Sequence, residues 1–304
     1  MKTLLLGADG QVGLQLRGRL ARLGDVVALN RTGCDLAVAD DIRRAVAASS
    51  PDIIVNAAAY TAVDRAEDEE ALALAINGTA LTVIGEEARR RNAAVIHYST
   101  DYVFDGSKDA PYAEADPVGP LNAYGRSKLA GEVALREAGC DHLVLRTSWV
   151  FSSHGQNFVR TMLRLTVQRD ELKIVSDQTG APTWANDIAA ATESLIPQMM
   201  EERRVGRFAS EILHLSGAGE TTWHGFATEI VAEGETLLPE RMGRAARLVA
   251  IPSSEYPVKA RRPLNSRLSN RRIEERYGIR LRPWNEALAL CLKEMPPEDL
   301  RAAL

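Results

Sequence analysis

A chain of 304 residues, 45% apolar and 26% charged, has ordinary globular composition, about two domains' worth at ~150 residues each, and needs no disulfide or metal staples to fold. Its 37 basic and 41 acidic residues leave a net charge of −4, which argues against a generally basic nucleic-acid binder. Cys34, Cys140 and Cys291 are scattered and odd in number, so they read as reduced thiols. The residues before Gly7 are too few for a signal peptide, and no apolar run reaches the ~18 residues of a membrane span. A cytoplasmic protein with no membrane or nucleic-acid partner is expected. Arginine outnumbers lysine 31 to 6, so each lysine carries weight.

Thr3–Leu6, Asp25–Leu29, Asp52–Val55, Ala94–Tyr98 and His142–Leu145 read as buried strands. Between the first two, Val12, Leu16, Leu20 and Leu23 share one helical face. Asp40 and Asp41 suit the start of a helix running to Ser49. Ala80–Arg91, with three terminal arginines, and Ala123–Ala138 are further helices. This alternation predicts an α/β fold, a Rossmann-type doubly wound parallel sheet. Later, Asn157–Arg169 and Asn186–Arg204 read as helices and Ile212–Leu215 as a short strand. From Ser216 on, Gly, Pro and Arg are frequent, with helices expected near Asn270–Tyr277 and Trp284–Glu294. The expected division is a dinucleotide-binding domain over 1–150, completed by about 184–216, and a smaller α/β C-terminal substrate-binding domain over 151–183 and 217–304. Arg244, Arg247, Arg261, Arg262, Arg267, Arg271 and Arg272 crowd its C-terminal part, as a solvated face or a patch facing an anionic ligand.

Gly7-Ala8-Asp9-Gly10-Gln11-Val12-Gly13 follows the first strand and opens the first helix. This G-x-x-G-x-x-G spacing is a variant of the dinucleotide fingerprint: a tight turn, a close backbone approach to pyrophosphate, and a helix N-terminus facing phosphate. At the end of the second strand, Asn30 stands where NAD-selective sites carry an acid, and Arg31 follows. NADPH is therefore expected as the preferred cofactor, with NADH accepted. Asp35-Leu36 fits against an adenine, and Asn56-Ala57-Ala58-Ala59 offers small side chains where backbone nears a cofactor; both also fit ordinary packing.

Tyr124 and Lys128 lie four apart on one predicted helix face. From 7 Tyr and 6 Lys in 304 residues, chance yields about 0.14 such pairs, so the bare motif is only moderately specific. An ammonium beside a phenol favours the phenolate and makes proton exchange feasible near neutral pH. Thr100, after the fourth strand, adds a hydroxyl where such sheets bind ligands.

The glycine turn, Thr100 and Tyr124-x-x-x-Lys128, in that order, resemble the short-chain dehydrogenase/reductase superfamily. Six stretches narrow the resemblance: Val55–Asp64, Val95–Phe104, Leu121–Gly125, Arg146–Val150, Asp177–Thr183 and Ala260–Leu268. They are similar to the dTDP-4-dehydrorhamnose reductase family, over about Leu4–Trp284. The resemblance implies NAD(P)H-dependent reduction of the C4 ketone of dTDP-4-dehydro-β-L-rhamnose, the last step of dTDP-L-rhamnose synthesis. It implies that Tyr124 donates the proton, that Lys128 lowers the Tyr124 pKa and holds the nicotinamide ribose, and that Thr100 bonds the reacting oxygen. Asp101 and Trp149 match positions that contact the sugar nucleotide, although a Trp is also commonly core.

On this reading the cofactor-binding residues are Gly7, Gly10, Gln11, Val12, Gly13, Asn30, Arg31, Asp35, Leu36, Ala57, Ala58, Ala59, Tyr60, Thr61, Tyr98, Tyr124 and Lys128. The substrate-binding residues are Thr100, Asp101, Phe104, Tyr124, Trp149, Arg261 and Arg262, the arginines neutralising diphosphate. His97, His154, His214 and His224 show no metal-ligand spacing, and Gln15 and Asn186 are neutral at helical positions expected to be exposed. Mg²⁺ dependence, and the choice between monomer and homodimer, stay open. So do two alternatives: another nucleotide-sugar epimerase or dehydratase of the superfamily, or a non-catalytic regulatory protein on the same fold.

Overall fold

The computed structural model describes residues 1–237, 239–242 and 245–295, the side chains of 240 and 241 excepted; Arg244 and the 296–304 end of the expected smaller domain lie outside the described residues. Six strands form one sheet: β1 (Lys2–Leu6), β2 (Asp25–Leu29), β3 (Ile53–Asn56), β4 (Ala94–Thr100), β5 (His142–Thr147) and β6 (Glu211–His214). Their spatial order is β6-β5-β4-β3-β1-β2, every pair parallel. The chain steps outward from β1 to β2, then crosses back to place β3 on the other side of β1. That reversal opens a crevice at the strands' carboxyl ends, the usual ligand site of such sheets.

Helices cover both faces, because strands buried on two sides must pack against apolar stripes twice. Helices α1 (Gln11–Leu20), α2 (Ala39–Ser49), α3 (Ala80–Arg90), α4 (Ala123–Ala138), α5 (Ala185–Arg204) and α6 (Arg271–Tyr277) carry most of this cover. On one face Leu16 and Leu20 of α1 and Ile188 and Leu195 of α5 meet Leu5, Val55, Ile96 and Leu145. On the other, Ile42, Val46, Leu81, Ile84 and Leu135 meet Leu4, Leu6, Ile54, Val95 and Val144. Helix α4 starts where the Asn122 side chain accepts the Gly125 amide at 2.8 Å, and stops at Gly139 with φ +66°.

A third apolar cluster, built from Phe151, Leu163, Trp184, Phe226, Ile230, Leu288 and others, stands apart from the sheet. It includes the helix Trp223–Leu237, which sequence patterning missed because Gly225 and Gly234 interrupt it. Gly234 lies against Leu163 and Met242, so the helix packs closely there. A parallel ladder of Glu171–Val175 with Arg247–Ile251 was also unforeseen. Ile273, Tyr277, Ile279 and Leu281, expected in the smaller domain, instead join the cluster on the sheet. Among the described residues no helix is long and apolar enough to cross a membrane.

Candidate active site

The glycine turn sits at the strand-order reversal. Gly7 adopts φ +79°, and a Cβ there would lie 2.5 Å from the Ala58 nitrogen; a Cβ on Gly13 would lie 2.0 Å from the Gly7 carbonyl oxygen. Glycine is thus required where β1 hands over to α1 beside the end of β3. The first turn of α1 carries no acidic residue, which suits a phosphate at its N-terminus. Gln11 Oε1 is buried there without a partner. Turn, helix end and the small side chains of Ala57, Ala58 and Ala59 fit a dinucleotide.

Around that cradle the expected residues divide. Asn30 donates to Asp9 at 2.7 Å and accepts from Thr32 at 2.7 Å. Arg31 is exposed, 3.3 Å from Asp35. Leu36 is buried in the core with Cys34. The Tyr60 hydroxyl bonds Glu69 at 2.6 Å while Thr61 is exposed. Tyr98 corrects a simple expectation: its side chain points to the α5 face and bonds Thr192 at 2.7 Å, and only its carbonyl reaches Lys128, at 2.6 Å. Alternation along β4 puts His97, not Tyr98, on the α4 side.

At the end of β4 the Thr100 hydroxyl donates to Asp101 at 3.0 Å and accepts the Tyr102 amide at 3.2 Å. Its side chain also acts on the Tyr124 phenol, so helix and strand end bring the two hydroxyls near one another. Burial pushes the Tyr124 phenol up to about 12, the Thr100 bond pulling it back in part. The Lys128 side chain is occupied at Tyr98 O and, 3.0 Å away, at His97 Nε2, and desolvation takes Lys128 down to about 7 against the upward pull of Glu132. The groups that set the Tyr124 shift are its own burial, the Thr100 side chain and Asp101.

Asp101 is buried, with Oδ2 unpartnered, and its carboxyl is pushed up to about 7 by burial, opposed by bonds from Ser266 and Thr100. Trp149, at a left-handed φ of +46°, stacks on Trp223 with ring centroids 3.7 Å apart and planes at 11°. Trp223 was not foreseen, since only the fold brings these segments together. Phe104 does not face the crevice; it is 1% exposed and stacked on Tyr112 within the core. Arg262 donates to Asp64 at 2.8 Å and acts on the Tyr102 phenol, whose ring meets the Tyr124 ring edge-on at 5.8 Å. Arg261 is exposed, and its carbonyl accepts from the α4 cap Asn122 at 2.8 Å.

Behind the site, Glu132 and Arg146 form a buried bidentate pair at 2.6 and 2.9 Å, with Ser99 adding a third bond at 2.5 Å. Among the described residues no group of three His, Cys, Asp or Glu is placed to hold a metal. Gln15 and Asn186, expected to be exposed, are half-buried, Asn186 accepting from Arg19 at 2.6 Å. These donors do not fit a Mg²⁺ site.

Comparison with known proteins gives a consistent placement. The sequence model of the family described as RmlD substrate binding domain matches residues 1–296. A dTDP-4-dehydrorhamnose reductase of Burkholderia thailandensis is 50% identical over 97% of this chain and 99% of that protein. The Escherichia coli K12 enzyme of the same name is 41% identical over 97% and 98%. Among solved structures, the dTDP-4-dehydrorhamnose reductase of Clostridium acetobutylicum superposes with a TM-score of 0.86 at 31% identity, covering 96% of this chain and 99% of that one. The Bacillus anthracis enzyme, in complex with NADP, gives 0.85 at 29% identity with the same coverage. The likeness spans the sheet, the crevice and the third apolar cluster together, and the chain belongs to the dTDP-4-dehydrorhamnose reductase family.

Proposed function

We propose that this protein reduces the C4 ketone of dTDP-4-dehydro-β-L-rhamnose to the alcohol of dTDP-β-L-rhamnose, using NADPH in preference to NADH. The observation that carries the reading is half-buried Tyr124 on α4 beside the end of β4, where its phenol feels the Thr100 side chain, in a chain whose glycine turn after β1 closes on Ala58 at the end of β3. A dihydronicotinamide held on the glycine turn would supply the hydride. Thr100 and Tyr124 hydrogen-bond the ketone oxygen and polarise it. As C4 gains the hydride, the Tyr124 hydroxyl gives its proton to the developing alkoxide.

Gly7, Gly10 and Gly13, with Gln11, Val12 and Ala57–Ala59, hold the pyrophosphate side of the cofactor. Asn30, held by Asp9 at 2.7 Å, and exposed Arg31, 3.3 Å from Asp35, face the position of a 2′-phosphate, where residue 30 itself carries no charge. Lys128 holds the ribose hydroxyls. The Trp149–Trp223 stack offers a flat apolar wall for the sugar, Asp101 a polar contact, and Arg261 and Arg262 a diphosphate site. The third apolar cluster supports treating 151–183 and most of 217–295 as the substrate-binding part, with 271–281 returned to the sheet.

Loss of NADPH absorbance on addition of dTDP-4-dehydrorhamnose tests the reading in wild type and Tyr124→Phe. The wild type should oxidise one NADPH per ketone reduced, and Tyr124→Phe should lose about 10²–10⁴-fold in kcat with unchanged NADPH affinity. Turnover without net NADPH oxidation would assign an epimerase or dehydratase. No turnover by the wild type, or full activity in the variant, would overturn the mechanism.

A further inference from the structure

We propose that Trp223 is a positioning residue for sugar binding: stacked on Trp149 and tethered through Gln178, it holds that indole and the strained backbone beneath it ready for the sugar ring. Three non-glycine residues among those described have positive φ, namely Ser50, Asn92 and Trp149. Ser50 and Asn92 follow the ends of α2 and α3, where left-handed residues are routine. Trp149 has no such setting. It lies between β5 and the two-residue strand Val150–Phe151, and φ +46° is a costly conformation for so bulky a residue. Such a conformation persists only when its surroundings over-determine it. The backbone is tied on this side by two bonds: the Ser148 hydroxyl donates to the Ala181 carbonyl at 2.8 Å, and the Trp149 carbonyl accepts the Thr183 amide at 3.2 Å. The ring is fixed by the near-parallel Trp223 indole, 3.7 Å away.

Trp223 is itself held in one orientation. Its indole N–H can only donate, and it reaches Gln178 Oε1 at 3.2 Å. The Gln178 amide is thereby oriented, with Nε2 donating to Ser253 Oγ at 2.9 Å. The Ser253 hydroxyl gives its one proton to Asp177 Oδ1 at 2.6 Å, and the Ser253 amide donates to both Asp177 carboxylate oxygens at 2.9 Å. Asp177 and Ser253 stand just past the ends of the ladder Glu171–Val175 with Arg247–Ile251, so that ladder anchors the tether. Phe158 and Phe226 of the smaller part also lie against Trp223, with ring centroids 4.7 and 6.5 Å away. Trp223 thus packs between these rings and Trp149, which leaves Trp149 as the indole to meet a sugar. That Trp149 meets a sugar rests on the proposed function; the tethered stack does not.

The experiment is calorimetric titration of the full chain with dTDP-L-rhamnose, dTDP and NADPH, in wild type, Trp223→Leu and Trp223→Phe. Without the second ring Trp149 relaxes, and binding must restore its left-handed conformation each time. Trp223→Leu should therefore weaken dTDP-L-rhamnose binding about 5- to 150-fold, with dTDP and NADPH within about twofold of the wild type. Trp223→Phe keeps a flat ring on Trp149 and gives up the bond to Gln178, so it should stay within about threefold for all three ligands. A Trp223→Leu variant that binds dTDP-L-rhamnose as the wild type does, or that loses dTDP and dTDP-L-rhamnose equally, would overturn the proposal. Indole ¹H–¹⁵N spectra of the wild type decide it even if Trp223→Leu does not fold. There dTDP-L-rhamnose, compared with dTDP, should shift the Trp149 Nε1–H signal more than that of Trp223; the reverse order would make Trp223 the sugar contact and end its positioning role. A wild type that binds NADPH but neither nucleotide would overturn the functional reading and, with it, any sugar role for the stack.

Discussion

Replacing Glu132 by leucine tests how the buried pair behind the catalytic helix contributes. The Glu132 and Arg146 side chains are 2% and 3% exposed, and the guanidinium gives both its Nε and Nη2 bonds to this one carboxylate, while Nη1 has no partner. Glu132→Leu removes both bonds and leaves a cation in an apolar site, whose remaining favourable contact is the Phe104 ring 5.0 Å away. Breaking a buried pair from one side costs about 3–5 kcal/mol, against about 2 kcal/mol for a well-desolvated cation–π contact that is retained in any case. The variant should therefore lose about 3–5 kcal/mol, roughly a hundredfold to several-thousandfold in the folding constant. Equilibrium urea unfolding measures it, with the double variant Glu132→Leu/Arg146→Met as control. Removing both charges should recover most of the loss, because no buried ion is left unpaired. A single-variant loss under about 1 kcal/mol, or a double variant no better than the single, would refute the reasoning.

Three further outcomes follow from the geometry. A Cβ at Gly180 would lie 2.5 Å from the Trp149 ring, so Gly180→Ala must tilt the indole off Trp223; overpacking of about 1–3 kcal/mol should raise KM for the sugar nucleotide roughly 5- to 150-fold, leaving NADPH affinity unchanged, and an unaltered KM would remove Trp149 from the sugar site. Asn30→Asp places a carboxylate at the end of β2 and should lower kcat/KM for NADPH relative to NADH by about tenfold or more; steady-state kinetics with both cofactors decide it. Asp101 has a carboxyl near 7 in the fold against an ordinary 3.8, so the fold binds its proton more tightly than the unfolded chain does. The stability from that proton is fully present below about pH 3.8 and is lost as pH rises through 7. Urea midpoints at pH 5 and pH 8 should thus shift in favour of Asp101→Asn at the higher pH, and parallel midpoints would show that Asp101 ionises freely.

Much of this protein was legible in residue order because the relevant signals are local. Strand and helix periodicities, the Ala123–Ala138 span of α4, the glycines between β1 and α1, and the Tyr124–Lys128 spacing each depend on residues within a few positions of one another. They determined a doubly wound sheet, a dinucleotide turn and the candidate proton donor. What the tertiary structure decided depends on register between distant segments. Only the pairing of Asn56 with His97 across β3 and β4 brings an amide and an imidazole into line with Lys128. Only the packing of the segment around Trp149 against the helix that begins at Trp223 stacks the two indoles. Alternation along β4 turned Tyr98 away and His97 inward, and burial moved the Tyr124 phenol upward. Spacing along a chain carries no desolvation energy: the protonation states of this site arise from how completely the fold removes water from it.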